Sequence, residues 1–69
     1  MNKGILQFSF NGKKITYFRR FDLFGKPLIT TNQNNAKLIK ETNVKDITIA
    51  LAKEYGKTNI KNVKFIKEE

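Results

Sequence analysis

KGILQFSFNGKKITYFRR, residues 3–20, sets Asn11-Gly12 between two runs of aromatic and β-branched residues. The dipeptide suits a type I′ turn, which needs positive φ at both central positions, so the stretch is predicted to be a β-hairpin. With Asn11 and Gly12 as the two loop residues, Phe10 faces Lys13, Phe8 faces Ile15, Leu6 faces Tyr17 and Ile5 faces Phe18. Alternation along the strands then gives one face to Leu6, Phe8, Phe10, Ile15 and Tyr17, and the other to Lys3, Ile5, Gln7, Ser9, Lys14, Thr16, Phe18 and Arg20. The first face is the predicted core, and the second meets water or a partner. Arg19 falls on the apolar side beyond Tyr17, at a rim where its stem packs and its guanidinium reaches water.

Working outward, the second strand runs on through Phe21 and Asp22 toward Leu23. Phe24-Gly25-Lys26-Pro27 then turns the chain into a third strand over Leu28–Thr31, with Pro27 suited to a strand start or an edge. Asn32-Gln33-Asn34-Asn35 has loop chemistry. Residues 36–41 (AKLIKE) fit a fourth short strand or a single helical turn, and the strand is preferred. A helix is predicted from Thr42-Asn43 to Gly56, with a cap candidate at its start, Asp46 in its first turn and a glycine at its end. Val44, Ile47, Leu51 and Tyr55 recur at helical spacing and form the stripe that covers the apolar hairpin face. Ile49 points away from that stripe. Ile60, Val63, Phe65 and Ile66 fit a last strand, with Val63 and Phe65 on one side and Lys64 and Ile66 on the other, or a short helix, and the β-branched and aromatic content favours the strand.

The fold class is therefore α+β: a small curved antiparallel sheet of three to five strands, in the order β-β-β-(β)-α-β, with one helix packed on one face. Residues 1–69 make a single domain. A chain of this size buries only about 60% of the surface its unfolded form exposes, so a large internal active site is not expected.

Several chemistries lose their usual residues. Without cysteine or histidine the chain has no disulfide, no thiolate or imidazole metal ligand and no histidine base, so neither metal nor cofactor is expected. Ser9 is the only serine, and a lone serine is a poor nucleophile. The carboxylates Asp22, Glu41, Asp46, Glu54, Glu68 and Glu69 show no acid–base pairing, the last two reading as a tail. The glycines are too scattered to cradle a phosphate. The expectation is a protein that is not an enzyme. No apolar run is long enough for a membrane span or signal peptide, and Met1 followed by Asn-Lys-Gly reads as a mature cytoplasmic chain.

Fourteen Lys and Arg against six Asp and Glu leave a formal net charge of +8, a field that attracts polyanions. The positive end is the hairpin, because residues 3–27 carry Asp22 as their one acid. The candidate nucleic-acid-binding residues are Lys3, Gln7, Lys13, Lys14, Thr16, Phe18, Arg19, Arg20 and Lys26. In this scheme cations track phosphates, Phe18 stacks on bases, Gln7 or an arginine reads base edges, and Thr16 shares their face. The helix mixes Lys45 and Lys53 with Asp46 and Glu54 and lacks a concentrated positive edge, so docking by the sheet is preferred, with DNA as the first candidate. The competing expectation is a small inhibitor or adaptor, encoded by a phage or mobile element, that binds an acidic protein surface with Phe18 as anchor. Homodimerisation through an edge strand or Ile49, with the charge serving solubility, is the third.

Overall fold

A computed structural model describes residues 3–68. Met1, Asn2 and Glu69 lie outside the described residues, and with them the mature start and part of the acidic tail. The strands are β1 (Lys3–Phe10), β2 (Lys14–Phe21), β3 (Pro27–Thr30), β4 (Ile39–Lys40) and β5 (Ile60–Lys67), with the helix α1 (Val44–Tyr55) between β4 and β5. All pairings are antiparallel and the sheet has five strands. β1 is its centre: β5 runs along one edge from Gly4 to Phe10, while β2 and β4 share the other, β2 at Gln7–Phe10 and β4 at Lys3–Gly4. This is the predicted order around a curled sheet, with α1 on one face.

The turn forms as its chemistry demands, yet the register differs from the expected one. Asn11 and Gly12 have φ of 56° and 73°, and the Lys13 N–H donates to the Phe10 carbonyl at 3.3 Å. Lys13, however, is left out of the ladder, and Phe10 pairs with Lys14, Phe8 with Thr16 and Gln7 with Tyr17. That one extra loop residue turns β2 over. Thr16 and Phe18 face the core, Phe18 being 1% exposed, whereas Ile15 is 51% exposed on the opposite face. Tyr17 is buried on that opposite face, outside the core cluster.

Two contacts explain the preference for this register. The Asn11 N–H donates to the Asn59 carbonyl at 3.0 Å, which ties the loop to the segment entering β5. Farther along, the pairing of β2 with β3 slips between Phe18 and Arg20, making Arg19 a bulge residue. The bulge lets Phe18 and Phe21 point the same way, their rings 5.1 Å apart, and keeps both arginines out of the core.

The core joins Leu6, Phe8 and Phe18 of the hairpin to Ile39, Ile60 and the helix residues Ile47 and Leu51, with Phe10, Ile29, Val44, Tyr55, Val63 and Phe65 around it. The helical stripe and the sidedness of β5 are thus as expected, and Ile49 is exposed. Tyr55 also fastens the helix to the sheet edge, because its hydroxyl donates to the Pro27 carbonyl at 2.7 Å and its ring meets Phe10 edge-on. Pro27 is the first residue of the edge strand β3, where a missing N–H costs no ladder bond.

Elsewhere the boundaries differ from the expected ones. β2 ends at Phe21, and Asp22 opens the turn instead of extending the strand. Its carboxylate accepts from the N–H groups of Phe24 (2.8 Å) and Lys26 (2.9 Å), and Gly25 takes φ of 79°. The 36–41 segment divides into the two-residue β4 and a 3₁₀ turn at Glu41–Asn43 that leads into α1. Asn43 precedes the helix but makes no capping hydrogen bond.

Gly4 lies where β4, β1 and β5 meet. A Cβ there would run into the Ile66 carbonyl and come within 2.9 Å of the Lys67 Cα. With neighbours on both edges of β1, the backbone has little room to yield. Gly4→Ala is expected to destabilise the fold by about 1–3 kcal/mol, measured as a lowered urea midpoint with unchanged slope.

Candidate nucleic-acid interface

The five strands contain Lys3, Lys14, Arg19, Arg20, Lys40, Lys61, Lys64 and Lys67 and no acidic residue. The described carboxylates all lie elsewhere: Asp22 in the β2–β3 turn, Glu41 in the 3₁₀ turn, Asp46 and Glu54 on α1, and Glu68 beyond β5. Within α1 the acids are balanced by Lys45 and Lys53. The charge is therefore layered, with a near-neutral helix behind strands that carry cations alone, and with Glu68, one residue past β5, set beside Lys3, whose carbonyl accepts from the Glu68 N–H at 2.9 Å.

Register decides which of those cations share the face turned away from the helix. On β1 that face carries Lys3, Ile5, Gln7 and Ser9, since Leu6 and Phe8 are buried on the other. Cross-strand partners point the same way, which adds Lys40 beside Lys3, Ile66 beside Ile5, Lys64 and Tyr17 beside Gln7, and Lys61 and Ile15 beside Ser9. Lys61 and Lys64 are three positions apart, a spacing that strict alternation sends to opposite faces. A register shift between Gln7 and Ser9 brings them together, with Asn62 at φ of 55° and its side-chain amide donating to the Ser9 hydroxyl at 3.4 Å. The Arg19 bulge acts alike on β2, returning Arg20 to the outer face opposite Leu28. From Lys3 past Lys64 to Lys61 the outward cations are strung over about 20 Å, at a strand rise near 3.3 Å per residue.

Of the nine residues singled out in the sequence, Lys3, Gln7 and Arg20 belong to this face. Lys13 and Arg19 are exposed in the hairpin loop and the bulge. Lys14, opposite Phe10, is exposed at the helix-side rim. Lys26 pairs with Glu54 across 3.8 Å, joining the turn to the helix. Thr16 and Phe18 differ from expectation: both are buried on the core side, the Thr16 hydroxyl donating to the Lys14 carbonyl, so neither side chain meets solvent. The inverted register is the reason. Lys40, Lys61 and Lys64 escape a reading of the sequence, although the acid-free run IKNVKFIK at 60–67 is the available signal.

The chain matches no family model, no curated protein and no solved structure. Among the described residues no group of His, Cys, Asp or Glu is placed to hold a metal ion, and no helix is long and apolar enough to cross a membrane. The outer face sets exposed lysines beside the uncharged Gln7 and Ser9 and the apolar Ile5, Ile15 and Ile66.

Proposed function

We propose that the protein is a small nucleic-acid-binding module, DNA the first candidate, that docks by the outer face of its sheet and performs no catalysis of its own. The observation that carries this is the acid-free sheet: cations from β1, β2, β4 and β5 converge on one surface while the described carboxylates sit outside the strands. Lys3, Lys40, Lys61, Lys64 and Arg20 contact phosphates, and Gln7 lies among them at base-edge height. Fluorescence anisotropy of labelled oligonucleotides at two salt concentrations tests it. Saturable binding whose logarithm falls linearly with that of the salt concentration, with a slope of about −3 to −5 for this many contacts, is the expected result. Absence of binding at low salt would refute it.

A second reading, an adaptor that docks on an acidic protein surface, is favoured by the β2–β3 turn. Leu23 and Phe24 are 99% and 94% exposed there, on a backbone pinned by the Asp22 carboxylate. Side chains so exposed do nothing for folding. Leu23→Ser/Phe24→Ser is expected to leave stability within about 0.5 kcal/mol of the parent in thermal melts. On the nucleic-acid reading it also leaves oligonucleotide affinity unchanged.

A further inference from the structure

We infer that the cleft between β4 and the end of β2 holds the base of an unpaired nucleotide, so that the protein prefers single-stranded nucleic acid to duplex. The inference rests on the nucleic-acid reading of the sheet. β2 parts from β1 beyond Tyr17, β4 occupies the far end of the edge beside Lys3 and Gly4, and the chain entering β4 is tied back to β2 where the Lys37 N–H donates to the Phe18 carbonyl at 3.3 Å. Between them remains a recess of about 300 Å³. Phe18, Phe21, Leu38, Ile39 and the helix residue Ile47 give its apolar lining, so it lies on the helix side of the sheet at the start of α1, and its polar groups come from three lysines and an asparagine. Among the described residues no carboxylate lines it.

Three features fit a base with its phosphate. Phe21 is 42% exposed and steadied against Phe18, so an aromatic surface is available for stacking, an interaction every base accepts. Asn43, placed where a helix-capping side chain belongs, makes no capping bond and lines the cleft instead. Its amide offers both a donor and an acceptor, the pair that base edges require. Lys3, Lys37 and Lys40 give the cleft positive charge where the phosphates flanking an inserted base would lie.

The charge continues beyond the cleft, which favours a strand over a lone anion. Lys3 and Lys40 are cross-strand partners that line the cleft and also stand on the outer face, so a strand leaving the cleft reaches the outward row of Lys64 and Lys61 by crossing the sheet edge at this pair. A single small anion would use only the lysines of the cleft, whereas a strand uses the whole row. A duplex must first unstack and unpair a base, at a cost of a few kcal/mol.

The test compares a short oligothymidylate, an oligouridylate, an abasic sugar-phosphate oligomer and a duplex of equal length at one salt concentration. Either base-bearing strand, or both, is expected to bind about tenfold or more tighter than the abasic oligomer, and tighter than the duplex. Phe21→Ala should erase that advantage without altering abasic binding, and Asn43→Ala, which removes the amide offered to the base edge, should reduce it while keeping the ring. Equal binding of base-bearing and abasic strands overturns the inference and leaves the sheet reading intact, as does a preference for duplex. If no probe binds, the sheet reading fails and this falls with it.

Discussion

Phe18→Ala is expected to lower the unfolding free energy by about 3–5 kcal/mol, and Ile15→Ala by less than about 1 kcal/mol. Phe18 is among the largest fully buried side chains and belongs to the cluster that joins hairpin to helix. Its removal leaves a cavity bounded by rigid strands, and a sheet relaxes poorly around such a void. Ile15, half exposed on the other face, has little apolar packing to forfeit when truncated. If the hairpin instead closed on a two-residue loop, Ile15 would be interior and Phe18 exterior, and the order of the two effects would invert. Urea melts of the two variants therefore report the register directly, and equal slopes would confirm that the denatured state is unchanged. The reverse order would overturn the burial of Phe18 and the assignment of Arg20 to the outer face.

The comparison of β1 with β2 shows why part of this fold is legible in the residues and part is not. Asn11-Gly12 specifies a turn by local backbone energetics, and Leu6 and Phe8 specify an inward face by alternation, so β1 is legible without knowledge of its neighbours. Whether Lys13 joins the ladder is not a local question. It depends on Asn11 bonding to Asn59, nearly fifty residues away, and on a bulge at Arg19 that spares the core an arginine. The helix shows the same division. Val44, Ile47, Leu51 and Tyr55 set its buried stripe from periodicity alone, but the absence of a capping bond at Asn43 depends on tertiary context. The candidate surface is the least legible part. Linear charge counting sets the acidic residues of the second half against its lysines. In three dimensions Asp46 and Glu54 leave with the helix, and the lysines of β5 join β1. The bulge at Asn62, which aligns Lys61 with Lys64, has no signature beyond an asparagine in a strand, a residue that tolerates positive φ better than most.

Lys61→Glu/Lys64→Glu is expected to weaken oligonucleotide binding about a hundredfold at about 0.1 M salt and to reduce the magnitude of the logarithmic salt slope by about two, one for each phosphate no longer neutralised. The control is Lys45→Glu/Lys53→Glu on α1, which changes the net charge equally. Any weakening caused by the field of the whole molecule must appear in both variants, because at long range only the net charge counts. Weakening that originates at the sheet appears in the first alone. At about 0.1 M salt the helix variant is therefore expected to lose less than about fivefold, with its salt slope nearly unchanged, since there surface charges farther away than a Debye length of about 10 Å are largely screened. All four lysines are exposed, and the ion pair of Lys26 with Glu54 involves none of them, so both variants should melt close to the parent. Equal weakening in the two variants would mean that attraction belongs to the molecule as a whole and that the outer face of the sheet is not the docking site. Weakening confined to the β5 variant would make the Asn62 bulge a functional feature, since it sets Lys61 on the same face as Lys64.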